Sequence, residues 1–379
     1  MKVSIVLGTR PEAIKLAPVI HELRKHSEIT LSIISTGQHR EMLTPFLKFF
    51  EITPDEDLAI MKPGSSLTTI LWKAISKLER YFQRTGSPAL LIVQGDTTTA
   101  LAAALVAYYR KVPLAHVEAG LRSFDRENPF PEELNRVLIS HLATHHFAPT
   151  EKARANLLRE GIDAEHIFIT GNTVVDALLW AREKILSPEY HPLRESLSKK
   201  LGFPIRGHTP YLLVTAHRRE NIGRGIQQIC KAIQHLISEH PKIHIVWPVH
   251  LNPEVGKIVR KSLSKTPRVH LLPPVDYPQF LTLLNGCRLV LTDSGGIQEE
   301  APTFRKPTLV MRSTTERVEA LETGGALLVG THPLHIARTV NDLLNDPERY
   351  RRMASIPNPF GDGKAARRIV SILLKEFVK

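Results

Sequence analysis

Cysteine is nearly absent: the 379 residues hold only Cys230, inside a helical pattern, and Cys287, at the start of an apolar run. Two thiols exclude a disulfide framework and a four-thiolate zinc site, and they fit a reducing compartment in which both simply fill core space. No run of about 18 consecutive apolar residues occurs, which argues against a membrane-spanning helix. The first strand-like residues, Val3–Leu7, turn into Gly8-Thr9-Arg10-Pro11 before a signal-peptide cleavage site could appear. The expectation is a cytoplasmic chain without membrane insertion. Also missing are an H-E-x-x-H pair, a Walker glycine-lysine loop and a G-x-S-x-G elbow. His141, His145 and His146 cluster, but no acidic or thiol ligand stands at a spacing suited to zinc.

The chain does have enough apolar residues, 42%, to build substantial cores. At roughly 100–200 residues per domain, its length implies two domains. Lys and Arg outnumber Asp and Glu by 50 to 38, a formal charge of +12. No basic run resembles a nucleic-acid module. Scattered cations such as Arg154, Arg159, Lys199 and Lys200 read as solvated helix faces, so no nucleic-acid partner is expected.

Short β-rich runs alternate with helical periods along the whole chain. In the first half Val3–Leu7, Leu31–Ser35, Leu90–Gln94 and Val112–Glu118 read as strands, each followed by a helix. Strand then helix, repeated, means a parallel sheet covered on both faces. The pattern breaks in the polar stretch 187–210 and restarts at Tyr211–Ala216. It continues with Ile243–Val249, Val269–Leu272, Leu289–Thr292, Thr308–Met311 and Leu327–Gly330. The reading is therefore α/β, with two doubly wound, Rossmann-like domains at 1–185 and 186–363. A final amphipathic helix, 364–379, is expected to pack back on the first domain.

Open parallel sheets bind ligands beyond the carboxyl ends of their strands, and those positions are loaded with polar residues here. Gly8-Thr9-Arg10-Pro11-Glu12 could offer N–H groups and Arg10 to a phosphate, with Lys15 one turn on, or could be a plain strand-to-helix turn. Asp96, after Gln94-Gly95, is either an ordinary helix N-cap or a functional carboxylate; Glu118, at the next strand end with no helix to cap, favours the second reading for both. Glu132 and Glu133 open a helix after two prolines, where the helix dipole accounts for one of them. His217, followed by Arg218 and Arg219, closes a strand and suits phosphate or acid–base work, and His250 repeats the arrangement one strand later. In Asp293-Ser294-Gly295-Gly296, Ser294 and the two glycines can bring backbone donors to a pyrophosphate, and Glu300 could accept from ribose hydroxyls.

Taken together, Gly8-Thr9-Arg10-Pro11-Glu12, Gln38-His39-Arg40-Glu41-Met42, Gln94-Gly95-Asp96-Thr97-Thr98, His116-Val117-Glu118-Ala119-Gly120-Leu121-Arg122, Thr215-Ala216-His217-Arg218-Arg219-Glu220-Asn221 and Asp293-Ser294-Gly295-Gly296-Ile297-Gln298-Glu299-Glu300-Ala301-Pro302 resemble the bacterial non-hydrolysing UDP-N-acetylglucosamine 2-epimerases. The resemblance is collinear from Lys2 to the C-terminal helix. It implies a GT-B-like fold with the active site in the interdomain cleft, a homodimer, and no metal or nicotinamide cofactor. It also implies anti elimination of UDP to 2-acetamidoglucal and re-addition with inverted C2. Asp96, Glu118, Glu132 and His217 would do the acid–base work. Arg10, Ser294, Gly295, Gly296, Glu300 and Arg317 would hold UDP, with Lys15 near the diphosphate and Phe280 near the uracil.

Bacterial relatives hold a second, activating UDP-sugar with residues that correspond to Gln38, Glu132, Arg218 and His250. Two positions depart from their pattern. Glu41 stands where they have a second Gln, and the loop Met61-Lys62-Pro63-Gly64-Ser65-Ser66 has no arginine, although Lys62 could substitute. The competing reading of the same fold is a hydrolysing epimerase that releases N-acetylmannosamine and UDP. A binding module without chemistry is disfavoured by four acid–base residues beside a diphosphate site.

Overall fold

The computed structural model describes residues 1–38, 40–61, 64–205 and 207–377. His39, Lys62, Pro63 and Val378, which entered the sequence reading, lie outside the described residues. The chain divides into two compact units: Met1–Ala177 together with Phe360–Lys379, and Leu178–Pro359. Among the described residues no helix is long and apolar enough to cross a membrane.

In the first unit seven strands, β1 (Lys2–Leu7), β2 (Thr30–Ser35), β3 (Glu56–Asp57), β4 (Leu90–Gln94), β5 (Leu114–Val117), β6 (His145–Ala148) and β7 (Ile167–Ile169), form one sheet in the order β3-β2-β1-β4-β5-β6-β7. Every pairing is parallel. Helices cover both faces of such a sheet, which is why β1 and β4 are apolar along their length and buried at nearly every residue. The helix Thr98–Tyr109 buries most of its surface because Ala100, Ala102, Ala103, Ala104 and Ala107 let its backbone lie close to its neighbours. Strand order reverses between β1 and β4, and ligands of open α/β sheets bind at such a reversal.

The second unit repeats the plan with β8 (Tyr211–Thr215), β9 (His244–Pro248), β10 (Val269–Leu272), β11 (Leu289–Thr292), β12 (Thr308–Val310) and β13 (Ala326–Leu328), in the order β10-β9-β8-β11-β12-β13. Its switch point lies between β8 and β11. The helix Arg224–Glu239 buries Ile226, Ile229, Cys230, Ile233, Leu236 and Ile237, one stripe at helical spacing. Each such aliphatic side chain contributes about 1.5–3 kcal/mol on burial.

Three strands escaped the sequence reading: β3, β6 and β7. β3 is two acidic residues, β7 only three residues long, and β6 begins His145-His146, which read as a polar cluster. Both histidines are core. His146 sets Nε2 against the Ser140 carbonyl at 2.8 Å and Nδ1 against that of His166 at 3.1 Å. Burial holds its imidazole below the usual range.

The stretch 187–210, polar in sequence, belongs to the second unit. Its helix His191–Leu201 buries Leu197 and Leu201, and Phe203 packs its ring 4.6 Å from His244 and 5.8 Å from Tyr211. The passage between the units falls at Ala177–Leu178, inside the helix Thr173–Leu186, eight residues before the 185/186 division read from the sequence.

The terminal helix Ala365–Phe377 belongs to the first unit and packs on the helix Arg10–Leu23. Its N-terminus is capped across the chain by Asp176, which accepts from Ala365 N at 3.2 Å and Ala366 N at 2.9 Å. Arg368 donates to the Thr170 carbonyl at 3.0 Å, and Glu376 meets His145 near the other end.

Candidate active site

In the first unit the candidate groups stand at the ends of β4 and β5. Glu118 follows β5 directly with φ 66°, a left-handed conformation that turns the chain sharply away from the strand. Its carboxylate accepts from Gln94 Nε2 at 3.1 Å and Asn172 Nδ2 at 2.7 Å, and pairs with Lys15 Nζ at 2.5 Å. Lys15, expected near a diphosphate, is thus engaged by a carboxylate within its own unit. Asp96 does not cap the helix that follows it. That role is taken by Thr97, whose hydroxyl accepts from Ala100 N at 3.0 Å. Asp96 instead pairs with Arg136, at 2.7 Å from Nη2 and 2.8 Å from Nε.

At the Gly8–Glu12 turn, for which the sequence left a phosphate cradle and a plain strand-to-helix turn both open, the chain occupies its own N–H groups. Glu12 is buried and accepts from Gly8 N at 2.9 Å, Thr9 N at 2.7 Å, the Thr9 hydroxyl at 2.8 Å and the Thr97 hydroxyl at 2.7 Å. Two of the N–H groups offered to phosphate are therefore satisfied by the chain itself. Desolvation of its carboxyl raises the Glu12 pKa despite those donors. Arg10 remains exposed, its guanidinium 5.6 Å from the centre of the Phe46 ring. Gln38 accepts from the Thr99 hydroxyl at 3.0 Å.

Beneath Asp96 lies a fully buried histidine. His116 sets Nε2 2.8 Å from the Gly95 carbonyl, and its Nδ1 has no partner among the described residues, the pattern of a neutral ring that donates through Nε2. Burial pushes its pKa from 6.5 down to about 3. The unfolded ring takes up its proton near the higher value and the folded ring only near the lower. The stability it contributes is complete above the unfolded pKa and is lost as pH falls toward the folded one, by up to about 1.4 kcal/mol per unit. The urea midpoint should fall between about pH 6.5 and 4.5, and fall less in His116→Gln. An equal fall in both proteins would assign the loss to carboxylates elsewhere.

Of the two glutamates that open the helix Glu132–Leu142, Glu133 is structural. It is buried, which raises its pKa, but N–H groups of Ser123 and Phe124, both at 2.9 Å, and the charge of Arg136 outweigh burial and leave it lowered. Glu132 makes no hydrogen bond or ion pair among the described residues, and its partial exposure leaves it open to a ligand.

In the second unit the candidate groups stand at the ends of β8 and β11. Asp293 is fully buried and gathers the turn after β8: His217 N at 3.0 Å, Arg218 N at 2.9 Å and Asn221 Nδ2 at 3.0 Å. His217 Nδ1 lies 3.6 Å from the same carboxylate, and the ring stacks on His250 with centroids 5.0 Å apart. Ser294 precedes the short helix Gly295–Glu300, whose first N–H groups have no intrahelical partner. A β-carbon at Gly295 would meet Arg218 Nη2 and Arg317 Cζ, each at 3.5 Å, so two guanidinium groups flank this turn. Arg317 pairs with Glu299 at 2.7 Å, while Glu300 ends the helix half-buried. Phe280, also half-buried, lies in the helix Tyr277–Gly286.

Several residues that hold this geometry were not assigned from sequence: Gln94, Asn172, Arg136, Asp293 and Arg312. Asn172 follows β7 in a Thr-Gly-Asn-Thr turn, the same strand-end signal used elsewhere, and was lost with the strand. Arg312 bridges Glu220 and Glu316 at 2.8 and 2.9 Å, tying the turn after β8 to the loop after β12, and holds the Glu316 carboxyl at about 2. Among the described residues no group of three His, Cys, Asp or Glu side chains could hold a metal ion.

The family model for UDP-N-acetylglucosamine 2-epimerase matches residues 21–374. A curated relative of that name from Escherichia coli (strain K12) is 48% identical over 98% of both chains, and one from Yersinia pestis is 47% identical over 98% of both. A crystal structure of the Neisseria meningitidis enzyme bound to UDP-GlcNAc superimposes with a TM-score of 0.86 at 46% identity, covering 99% of this chain and 100% of that one. Family model, full-length identity and fold agree, and the chain belongs to the UDP-N-acetylglucosamine 2-epimerase family.

Proposed function

We propose that this chain interconverts UDP-N-acetylglucosamine and UDP-N-acetylmannosamine by reversible epimerisation at C2. The observation that carries the reading is the pair of carboxylates Asp96 and Glu118, at the ends of adjacent strands, each matched by its own cation. A base takes the C2 proton, the C2–H electron pair becomes the C1–C2 double bond, and the C1–O bond breaks with its pair leaving on UDP. Re-addition reverses each step, with the proton delivered to the opposite face of C2. Asp96, Glu118, Glu132 and His217 are assigned to the proton transfers and leaving-group control. Arg218, Arg317 and the N–H groups of Gly295 and Gly296 suit the diphosphate charge that grows as the C1–O bond breaks. Ser294, Glu300, Phe280 and Arg10 complete the UDP assignment.

Proton NMR in deuterium oxide tests it. Starting from UDP-N-acetylglucosamine, both UDP-sugars should appear with deuterium at C2; stoichiometric free hexosamine and UDP would overturn the reading in favour of hydrolysis. The same assay from UDP-N-acetylmannosamine alone tests regulation. Glu41 is exposed at the start of its helix and repels a diphosphate, so turnover without added UDP-N-acetylglucosamine is expected. Silence until a trace is added would overturn this expectation and establish activation by UDP-N-acetylglucosamine.

We also propose a homodimer formed through the first unit. Trp72, Tyr108, Tyr109, Leu134 and Leu138 are exposed on the helices Leu67–Thr85, Thr98–Tyr109 and Glu132–Leu142, which pack in that order. Large apolar side chains clustered on adjoining helices suit association. A sedimentation mass of one chain, 42.6 kDa, would refute it.

A further inference from the structure

We propose that Arg136 is the positioning residue that aims the Asp96 carboxylate, a role that rests on the acid–base reading of Asp96 above. Two consecutive residues of the helix Glu132–Leu142 turn toward Asp96. Asn135 Nδ2 donates to its main-chain carbonyl at 2.8 Å, and Arg136 donates to its side chain. With the His116 contact to the Gly95 carbonyl, the backbone is fixed from two sides. The carboxylate itself is fixed only by Arg136 among the described residues.

Both guanidinium donors, Nε at 2.8 Å and Nη2 at 2.7 Å, converge on Oδ2. Oδ1 is left without a protein partner among the described residues, the arrangement a proton-transferring carboxylate needs: one oxygen anchored, the other presented. The opposite edge of the guanidinium is anchored in turn. Nη1 meets Glu133 Oε2 at 3.0 Å, and Glu133 is buried and held by the Ser123 and Phe124 N–H groups. Arg136 is thus a planar bracket between a rigid carboxylate and a presented one. Lysine, a single point of charge, cannot supply that geometry. A partly exposed pair of this kind is worth little to stability by itself, so the expected effect is on turnover.

Arg136→Met should lower kcat by about ten- to a hundredfold, the scale of a misaligned catalytic group, with KM changed less than about threefold. Arg136→Lys should recover only part of the loss. The deciding comparison is the Asp96→Asn background, where adding Arg136→Met should cost less than about twofold, because the group it aims is already gone. The same loss in both backgrounds would overturn the proposal, as would parent kcat in Arg136→Met. Parent turnover in Asp96→Asn alone would instead overturn the acid–base reading on which the proposal rests. Glu133→Gln separates a structural cause: if it and Arg136→Met lower the melting temperature alike and leave kcat alone, Arg136 serves only the loop at Ser123.

Discussion

Glu118→Gln should lower turnover by about a hundredfold or more while UDP affinity, read by calorimetry, changes far less. The carboxylate is almost fully enclosed and satisfies three donors at once: Lys15 Nζ, Asn172 Nδ2 and Gln94 Nε2. An amide offers one acceptor oxygen and turns a donor toward at least one of these groups. It also takes the Glu118 charge away from the Lys15 ammonium, and removing one partner of a buried pair costs about 3–5 kcal/mol. Part of the loss could then reflect a loosened first unit, so the melting temperature must be followed as well. Lys15→Met with Glu118→Gln removes both charges of the pair; this double variant should regain stability but not turnover. If Glu118→Gln keeps more than about a tenth of the parent rate, Glu118 is not part of the acid–base set.

A second large effect is expected at Asp293, which no surface-directed reading would single out. Asp293→Ala removes a fully buried carboxylate from the His217 and Arg218 N–H groups and from Asn221 Nδ2. Hydrogen bonds to a charged acceptor are worth about 1.5–3 kcal/mol each, and donors left buried without a partner carry their own penalty. A loss of about 4 kcal/mol or more from the second unit follows. Asp293→Asn preserves volume but brings an NH2 group against N–H donors, so it should be only partly better. Because the same turn carries His217 and Arg218, the rise in melting temperature expected for the parent with UDP should be absent from both variants. A melting temperature within about 2 °C of the parent, with the UDP effect intact, would show that the turn after β8 holds its shape without Asp293.

The sequence by itself determined the class of fold and the strand ends at which to look. Parallel strands buried on both faces must be apolar along their length, so β1, β4, β8 and β11 announce themselves, and the polar residues directly after them stand at the two switch points. It also carried the motifs that place the chain in its family. What it could not determine is which polar group spends itself on which. Lys15 lies far from Glu118 along the chain and Arg136 lies 40 residues from Asp96, and only the packing of helices on the sheet brings each pair to 2.5 and 2.7 Å. The Gly8–Glu12 turn resembles a phosphate cradle until Glu12 folds back onto its own N–H groups. The histidines of β6 read as a polar cluster until burial makes them core. Local pattern fixes where a backbone runs, because steric and hydrophobic periods are local. The partner of a buried charge is decided by tertiary structure, because desolvation forces each ionised group to find a counter-charge or donors wherever in the chain they come from.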